Sequence, residues 1–334
     1  MSTKTVARPG ALAFLKSRRN IALGLALLVA LFVIGSITVP GFLSDVNVRS
    51  MLLLGAFLGL ASVGQTASAL LGGLDLSIAY VIGAVNILMV FLMSLGVPAG
   101  LAIVTLLGAG LVIGAINGML SFRLQNQSLV VTLGVGFVVV GLAQVLVSLG
   151  VKGTSASGQI PKWMSNFSSV NGTTFGLPVP PIVVVWVILS VAIIALMRTT
   201  WFGRSIYALG GNRSAARLML ISERSRWISV YAISGLFSAA TGIVLLGFSG
   251  GSFVHVGDPY LFLTVAAVAV GGTSLLGGRG GYGSTILGVL VLMVLQSLLV
   301  GYGLNNPAQQ FVLGLLIVPL VGFYARNPHI RNQI

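Results

Sequence analysis

In this chain of 334 residues, 56% are hydrophobic and only 7% are charged, which excludes a soluble domain because such a domain carries about a quarter charged residues. The net charge of +14 does not indicate nucleic acid as a partner, since most cations flank apolar segments, where membrane orientation and lipid headgroups account for them. The absence of cysteine excludes disulfides, thiol catalysis and cysteine-based metal sites.

Apolar runs of about 20 residues recur along the sequence, without the period-two alternation of a barrel. The fold class is therefore predicted to be an all-α polytopic membrane protein. Residues 1–20 are a polar, basic tail, and the run at 21–39 lacks a small-residue cleavage site, which favours a retained first helix over a signal peptide. The predicted helices lie at about 21–39, 49–71, 75–95, 98–120, 128–150, 180–197, 227–248, 260–276, 284–302 and 308–325.

These segments predict one transmembrane domain over 21–325, with a short tail at 326–334. Gly72-Gly73 breaks the second run. If that break lies inside the bilayer, the second and third helices form one interrupted element, so the expected number of spans is eight to ten. With both termini cytoplasmic, fifteen of the eighteen cations fall on the cytoplasmic side, as the positive-inside rule requires.

The densest charge lies at 198–227, which holds six of the eighteen cations and Glu223. This segment is predicted to be cytoplasmic. Asn212 is a predicted N-cap, and Arg213, Arg217 and Arg224 would share one face of an amphipathic helix at the membrane surface. Such a helix either only anchors the fold or docks a cytoplasmic partner.

Two further stretches have unusual composition. GGLDLS at 72–77 contains Asp75, the one acidic residue of the membrane core, which is either an interfacial helix cap or part of a permeation path. The stretch 271–284 has seven glycines in fourteen residues, so its backbone must be buried in protein, line water or lie at the interface. Three G-x-x-x-G pairs, at 55/59, 110/114 and 114/118, predict close helix packing.

No catalytic or metal-binding constellation is found. His255 and His329 have no carboxylate or cysteine at ligand spacing and are predicted to be solvated loop residues. No phosphate loop is present. We therefore expect a chain that is not an enzyme.

Five stretches in order carry a family resemblance: GGLDLS (72–77), GAINGML (114–120), VVTLG (130–134), GRSIYALGGNRSAARL (203–218) and GGTSLLGGRGGYGSTILG (271–288). In these the chain resembles the permease subunits of carbohydrate-type ABC importers. The resemblance implies a bacterial inner-membrane location, a second permease copy or paralogue, an extracytoplasmic substrate-binding protein and a cytoplasmic ATP-binding subunit. It places ATP and Mg on that subunit and no cofactor on this chain. Where the family commonly has Ser-Gly-Ile, this chain reads Met219-Leu220-Ile221.

The resemblance also implies that 203–218 contacts the ATP-binding subunit. The predicted coupling residues are Arg204, Gly210, Gly211, Asn212, Arg213, Ala215, Ala216 and Arg217. The expected function is to give a small hydrophilic molecule, with a monosaccharide as the expected cargo, a route across the membrane. The candidate path residues are Gln65, Asp75, Ser77, Asn86, Asn117, Thr132, Gln144, Thr273 and Ser274. The alternatives are an ABC permease for branched-chain amino acids or nucleosides, an ion-coupled secondary transporter, and a channel or structural membrane protein.

Overall fold

The computed structural model describes residues 11–124, 127–150, 160–305 and 307–315. These ranges are helical throughout most of their length, and seven of the helices are long and apolar enough to cross a membrane. The helices are α1 (Ala11–Thr38), α2 (Asp45–Leu70), α3 (Ser77–Ser94), α4 (Ala99–Arg123), α5 (Ser128–Gly150), α6 (Lys162–Phe167), α7 (Pro181–Thr199), α8 (Trp201–Gly211), α9 (Arg213–Leu218), α10 (Glu223–Ser249), α11 (Tyr260–Val270) and α12 (Tyr282–Gly301). Residues 307–315 are also helical.

The predicted fold class is confirmed, and each of the ten predicted segments is helical over at least part of its length. The first helix begins at Ala11, so it includes half of the predicted tail 1–20. The last predicted helix is described only for residues 307–315. Residues 316–334, with the predicted tail 326–334 and His329, lie outside the described residues.

One predicted helix is wrong in length: the helix expected over 260–276 ends at Val270. Gly272 adopts φ +84, and the Thr273 N–H bonds back to the Val268 carbonyl at 3.0 Å, which closes the helix in a Schellman turn. The end of α2 is built in the same way, with Gly72 at φ +82. A paired glycine therefore ends both helices by the same local geometry.

Helices α4 and α10 pack in antiparallel contact through small residues. A Cβ atom on Gly114 would overlap the Tyr231 carbonyl oxygen, and one on Gly110 would lie 2.5 Å from the Gly235 carbonyl oxygen. Without those side chains the two backbones touch, which is how helices associate where lipid offers no hydrophobic drive. The pairs predicted at 110/114 and 114/118 are packing sites, and so is Gly59, which faces the Trp186 ring.

The connections at 71–76, 200–222 and 271–281 meet at one end of the bundle, here called the Arg-rich end. Leu70, Leu71, Ala216, Ile221 and Trp227 share one buried apolar cluster there. At the opposite end, the Thr38 and Tyr302 hydroxyls bond at 2.7 Å, which brings the ends of α1 and α12 together. The bundle thus has two distinct ends, and the charged segment lies at one of them.

The connection between α10 and α11 does not leave the bundle as a loop. A short 3-10 turn, Val254–Gly257, lies against α3, where the Val254 carbonyl occupies the space that a side chain on Gly83 would fill. Gly257 contacts the Ala79 carbonyl in the same way. The Phe253 N–H also donates to the Asn86 Oδ1 at 3.0 Å. The segment 250–259, whose His255 was predicted to be a solvated loop residue, runs along the side of α3.

The close contact between α4 and α10 gives a stability prediction. Gly114→Ala should lower the free energy of unfolding by about 1–3 kcal/mol, because the new methyl group overlaps a carbonyl oxygen of α10. Thermal unfolding of the detergent-solubilised protein measures the effect. Gly108→Ala is the matched control on the same helix, since no atom lies within 4 Å of its Cβ position. Equal stability of the two variants would contradict the packing described.

Candidate functional site

The charged segment 198–227 forms two short helices and the first turn of α10, rather than one amphipathic helix as predicted. Asn212 Oδ1 accepts a hydrogen bond from the Ala215 N–H at 2.9 Å, so its predicted capping of α9 is confirmed. After α9 the chain turns at Leu220, which has φ +56, and Ser222 caps α10. Arg224 therefore belongs to a different helix from Arg213 and Arg217, because the turn separates them.

A buried carboxylate organises this segment. The Glu223 side chain is only 6% exposed, and its Oε2 lies 2.9 Å from an Arg217 Nη2. Its Oε1 lies 3.6 Å from the Arg213 Nε, and the Arg213 guanidinium stands 5.8 Å from the centre of the Trp227 ring. Both arginines thus contact the chain's own acid, so they order the segment itself.

The end of α8 contacts the end of α2 and the stretch 271–281, which follows α11. Gly210 packs directly on the Leu70 carbonyl oxygen, and its Cβ position would lie 2.6 Å from the Gly278 nitrogen. The Gly278 N–H in turn donates to the Leu70 carbonyl at 3.0 Å. The neighbouring Gly211 has no atom within 4 Å of its Cβ position. Gly210 is therefore the point at which the charged segment meets the ends of α2 and the stretch 271–281.

Tyr207, one helical turn before Gly210, forms a second contact between α8 and the stretch 271–281. Its hydroxyl donates to the Gly280 carbonyl at 3.0 Å. Burial raises the pKa of this hydroxyl, with the nearby Arg198 charge opposing the rise. The hydroxyl accordingly keeps its proton at neutral pH and remains a donor.

The remaining predicted coupling residues occupy both faces of the segment. Arg204 is exposed and donates to the Thr199 carbonyl at 2.9 Å, and Ala215 is exposed on α9. Ala216 is buried against the end of α2. At the end of α9 and directly after it, the apolar residues Leu218, Met219 and Leu220 are largely exposed. An exposed apolar turn next to exposed cations is a surface suited to another protein.

Four of the predicted path residues meet in one buried network at the start of α3. Asp75, 2% exposed, accepts at Oδ1 from the Ser77 N–H at 3.0 Å, the Ser77 hydroxyl at 2.6 Å and Asn117 Nδ2 at 3.2 Å. Its Oδ2 accepts from the Ser234 hydroxyl at 2.6 Å. Thr132 Oγ1 accepts from the Leu76 N–H at 3.0 Å. These bonds join α3, α4, α5 and α10 around a carboxylate that has no cation within ion-pair distance among the described residues.

The N-cap position of α3 is Leu76, which makes no side-chain cap bond, so the predicted interfacial cap at Asp75 is wrong. Asp75 precedes that position and accepts from the Ser77 N–H inside the bundle. Its partner Ser234 lies against Gly64, six residues before the end of α2, which corresponds to about 9 Å of helix. The chain has therefore turned back along α2 before α3 begins, so α2 and α3 are separate crossings and not one interrupted element.

The other predicted path residues lie elsewhere. Gln65 is fully buried on α2, with neither amide atom bonded, and Gln144 is exposed on α5. Asn86 bonds the Gly242 carbonyl at 3.1 Å. Thr273 Oγ1 lies 2.9 Å from the Ser284 hydroxyl, and Ser274 Oγ accepts from the Leu276 N–H at 3.2 Å. The last three side chains hold the backbone of irregular segments, and a role in a path stays a prediction for all nine.

Several residues of these sites were not predicted. Ser234 is one of many serines in apolar helices, and no sequence signal sets it apart. Glu223 has such a signal, because it is the one acid among six cations. The contact made by Tyr207 cannot be predicted from the sequence, because it depends on the stretch 271–281 lying beside α8. Among the described residues, no three His, Cys, Asp or Glu side chains cluster as metal ligands would.

Comparisons with known proteins identify a family whose members resemble most of this chain. A family described as "Branched-chain amino acid transport system / permease component" matches residues 47–321. The chain is 32% identical over 312 residues to a probable ABC transporter permease protein, YphD, of Escherichia coli K12, covering 91% of this chain and 90% of that protein. It is 33% identical over 296 residues to the ribose import permease protein RbsC of Bacillus subtilis, covering 89% of each. The fructose import permease protein FrcC of Rhizobium meliloti is 30% identical, over 88% of this chain and 82% of that protein. No solved structure matches the chain.

The network around Asp75 gives the second stability prediction. Asp75→Asn should cost about 1–3 kcal/mol of unfolding free energy, because an amide offers one acceptor oxygen where four donors converge. Asp45→Asn is the control: this acid is 89% exposed and 3.8 Å from Arg49, a surface pair worth less than about 1 kcal/mol. A loss at Asp75 no larger than at Asp45, in the same thermal unfolding assay, would contradict a structural role for the buried carboxylate.

Proposed function

The chain belongs to the family of branched-chain amino acid transport system permease components, and on this premise we propose that it is the membrane permease subunit of an ATP-driven importer for a monosaccharide. The observation that carries the proposal is the end-to-end match to permeases named for ribose and fructose import, over more than four fifths of both chains. Family membership makes the chain a transport component rather than an enzyme.

We propose that the Arg-rich end faces the cytoplasm of a bacterial cell and receives the ATP-binding subunit. The concentration of cations at 198–227 supports this orientation. The exposed apolar turn at Leu218–Leu220 supports a protein contact there. The opposite end would then receive the extracytoplasmic substrate-binding protein, and a second copy or paralogue would complete the path. ATP and Mg would be bound by the partner subunit.

The contact at Gly210 supports a mechanism for coupling. A displacement of α8 acts on the Leu70 carbonyl and on Gly278 together, because the two are bonded to each other and packed on the same glycine. Leu70 is the last residue of α2, and Gly278 lies in the stretch that connects α11 to α12. We therefore propose that ATP binding by the partner moves α8 and reorients both connections at once, which shifts the permease between inward-facing and outward-facing states.

An ion-coupled secondary transporter is the second candidate. Such proteins hold several ionisable residues in the membrane core to bind the coupling ion. In the described part of this chain, the buried acids are Asp75 and Glu223; the first is held by four donors and the second by two arginines. Both are occupied by internal contacts, which favours the ATP-driven importer.

The energy source of uptake tests the proposed function. Cells that carry the gene with its neighbouring ATP-binding and substrate-binding genes should take up labelled D-ribose or D-fructose, and deletion of the permease gene should abolish uptake. Uptake should persist when an uncoupler collapses the proton gradient while cellular ATP is held constant. Loss of uptake under the uncoupler would instead establish ion coupling.

The contact at Gly210 gives a matched pair of variants. Gly210→Ala should reduce uptake by about tenfold or more, since a methyl group there must displace the Leu70 carbonyl by an ångström or more. Gly211→Ala, one residue along, meets no atom within 4 Å and should leave uptake close to wild type. Initial uptake rates, normalised to the amount of permease in the membrane, make the comparison. Equal activity of the two variants would contradict the proposed coupling route.

A further inference from the structure

His255 and Asp258 form an exposed pair in the connection between α10 and α11. The His255 Nδ1 lies 2.9 Å from an Asp258 Oδ2, and the two side chains are 78% and 58% exposed. The sequence predicts a solvated loop residue at 255 with no carboxylate neighbour, and the second part of that prediction is wrong because Asp258 contacts His255.

The length of α11 and the position of its end put this pair within the depth of the membrane. Helix α11 has 11 residues, about 16 Å, which is half of the roughly 30 Å hydrocarbon thickness. Its end adjoins the stretch 271–281, whose Gly278 bonds to Leu70 at the Arg-rich end. The other half of this crossing must therefore be made by 250–259.

Contacts with α3 and α10 agree with this depth. The 3-10 turn lies beside Ala79 and Gly83 of α3, and Gly83 is about 16 Å from the far end of that helix. The adjacent residue Ile82 packs on Gly242 of α10, which is about 10 Å from the corresponding end of α10. Two helices thus place the turn well inside the bundle's length.

An exposed ionisable pair at that depth does not face lipid, because such residues face a protein interior or a water-filled cavity. Irregular backbone at membrane depth obeys the same restriction. The segment contacts α3 through its backbone, so its exposed side, with His255 and Asp258, is left for a water-filled path or for the second permease copy. Phe253 and Phe262 are exposed beside the pair, on the same connection and on the first turn of α11.

We propose that Phe253, His255, Asp258 and Phe262 line the aqueous translocation path and contact the substrate. A carboxylate and an imidazole can bond the hydroxyls of a neutral polyhydroxylated molecule, and the aromatic rings can pack against its apolar ring face. These side chains suit a monosaccharide in its cyclic form. This inference rests on the proposed function, because it assumes that the path carries a sugar.

Cysteine accessibility tests the placement, and the absence of native cysteine leaves no background on this chain. Single variants His255→Cys and Asp258→Cys, in the assembled importer in membranes, are treated with a positively charged, membrane-impermeant methanethiosulfonate. Both should react at rates within about tenfold of Asp45→Cys, an exposed position at the start of α2. Val138→Cys and Val191→Cys, exposed on apolar α5 and α7, should react more slowly by at least about tenfold. Inert thiols in both the His255→Cys and Asp258→Cys variants would overturn the placement.

Protection by sugar tests the substrate contact. D-Ribose or D-fructose should slow the modification of His255→Cys and leave that of Asp45→Cys unchanged. A reactive His255→Cys variant that no pentose or hexose protects would overturn the substrate contact. Neither failure bears on the energy source, so the proposed function is judged separately by uptake under the uncoupler.

Discussion

The contact between the backbone of Gly210 and the Leu70 carbonyl is the constraint on which the Arg-rich end depends. It exists only because residue 210 has no side chain, and it is reinforced by the Gly278 N–H bond to the same carbonyl. Three chain segments far apart in sequence are thereby held at one point. The Tyr207 bond to Gly280 and the buried apolar cluster around Leu70 join the same segments, so a movement of α8 is transmitted to both connections.

Two buried carboxylates stabilise the parts that this contact joins, by different means. Asp75 is held by neutral donors and the start of α3, so it fixes where α3 begins inside the bundle. Glu223 is held by Arg213 and Arg217, so it fixes the charged segment to the start of α10. The first arrangement suits a site within the membrane, where an unpaired polar group is costly, and the second suits a site at its surface. Together they leave the Gly210 contact as the link between two ordered units.

Much of the fold could be predicted from the sequence because it is set by local signals. Apolar runs locate the ten helical segments, and the Gly72 and Asn212 caps follow from residue type. The end of α11 was missed although Gly271-Gly272 carries the same signal as Gly72-Gly73, because the apolar residues Leu275 and Leu276 extend the hydrophobic run past the pair. The exposed pair His255–Asp258 was missed for the same reason, because a half-length helix moves its preceding connection into the membrane. Pairings such as Asp75 with Ser234 depend on tertiary contacts that no spacing encodes.

The distance between residues 211 and 279 shows whether the segments joined at Gly210 move together. Spin labels on Gly211→Cys and Arg279→Cys, both exposed, report whether the charged segment and the glycine-rich stretch move together in the assembled importer. A second pair, Gly211→Cys and Leu95→Cys, spans the bundle from the Arg-rich end to the opposite end. If α8 and the stretch 271–281 move as one unit, ATP binding leaves the first distance unchanged and alters the second. A change in the first distance while the second stays constant would show that the charged segment slides past the Gly210 contact. That result would contradict coupling through this contact.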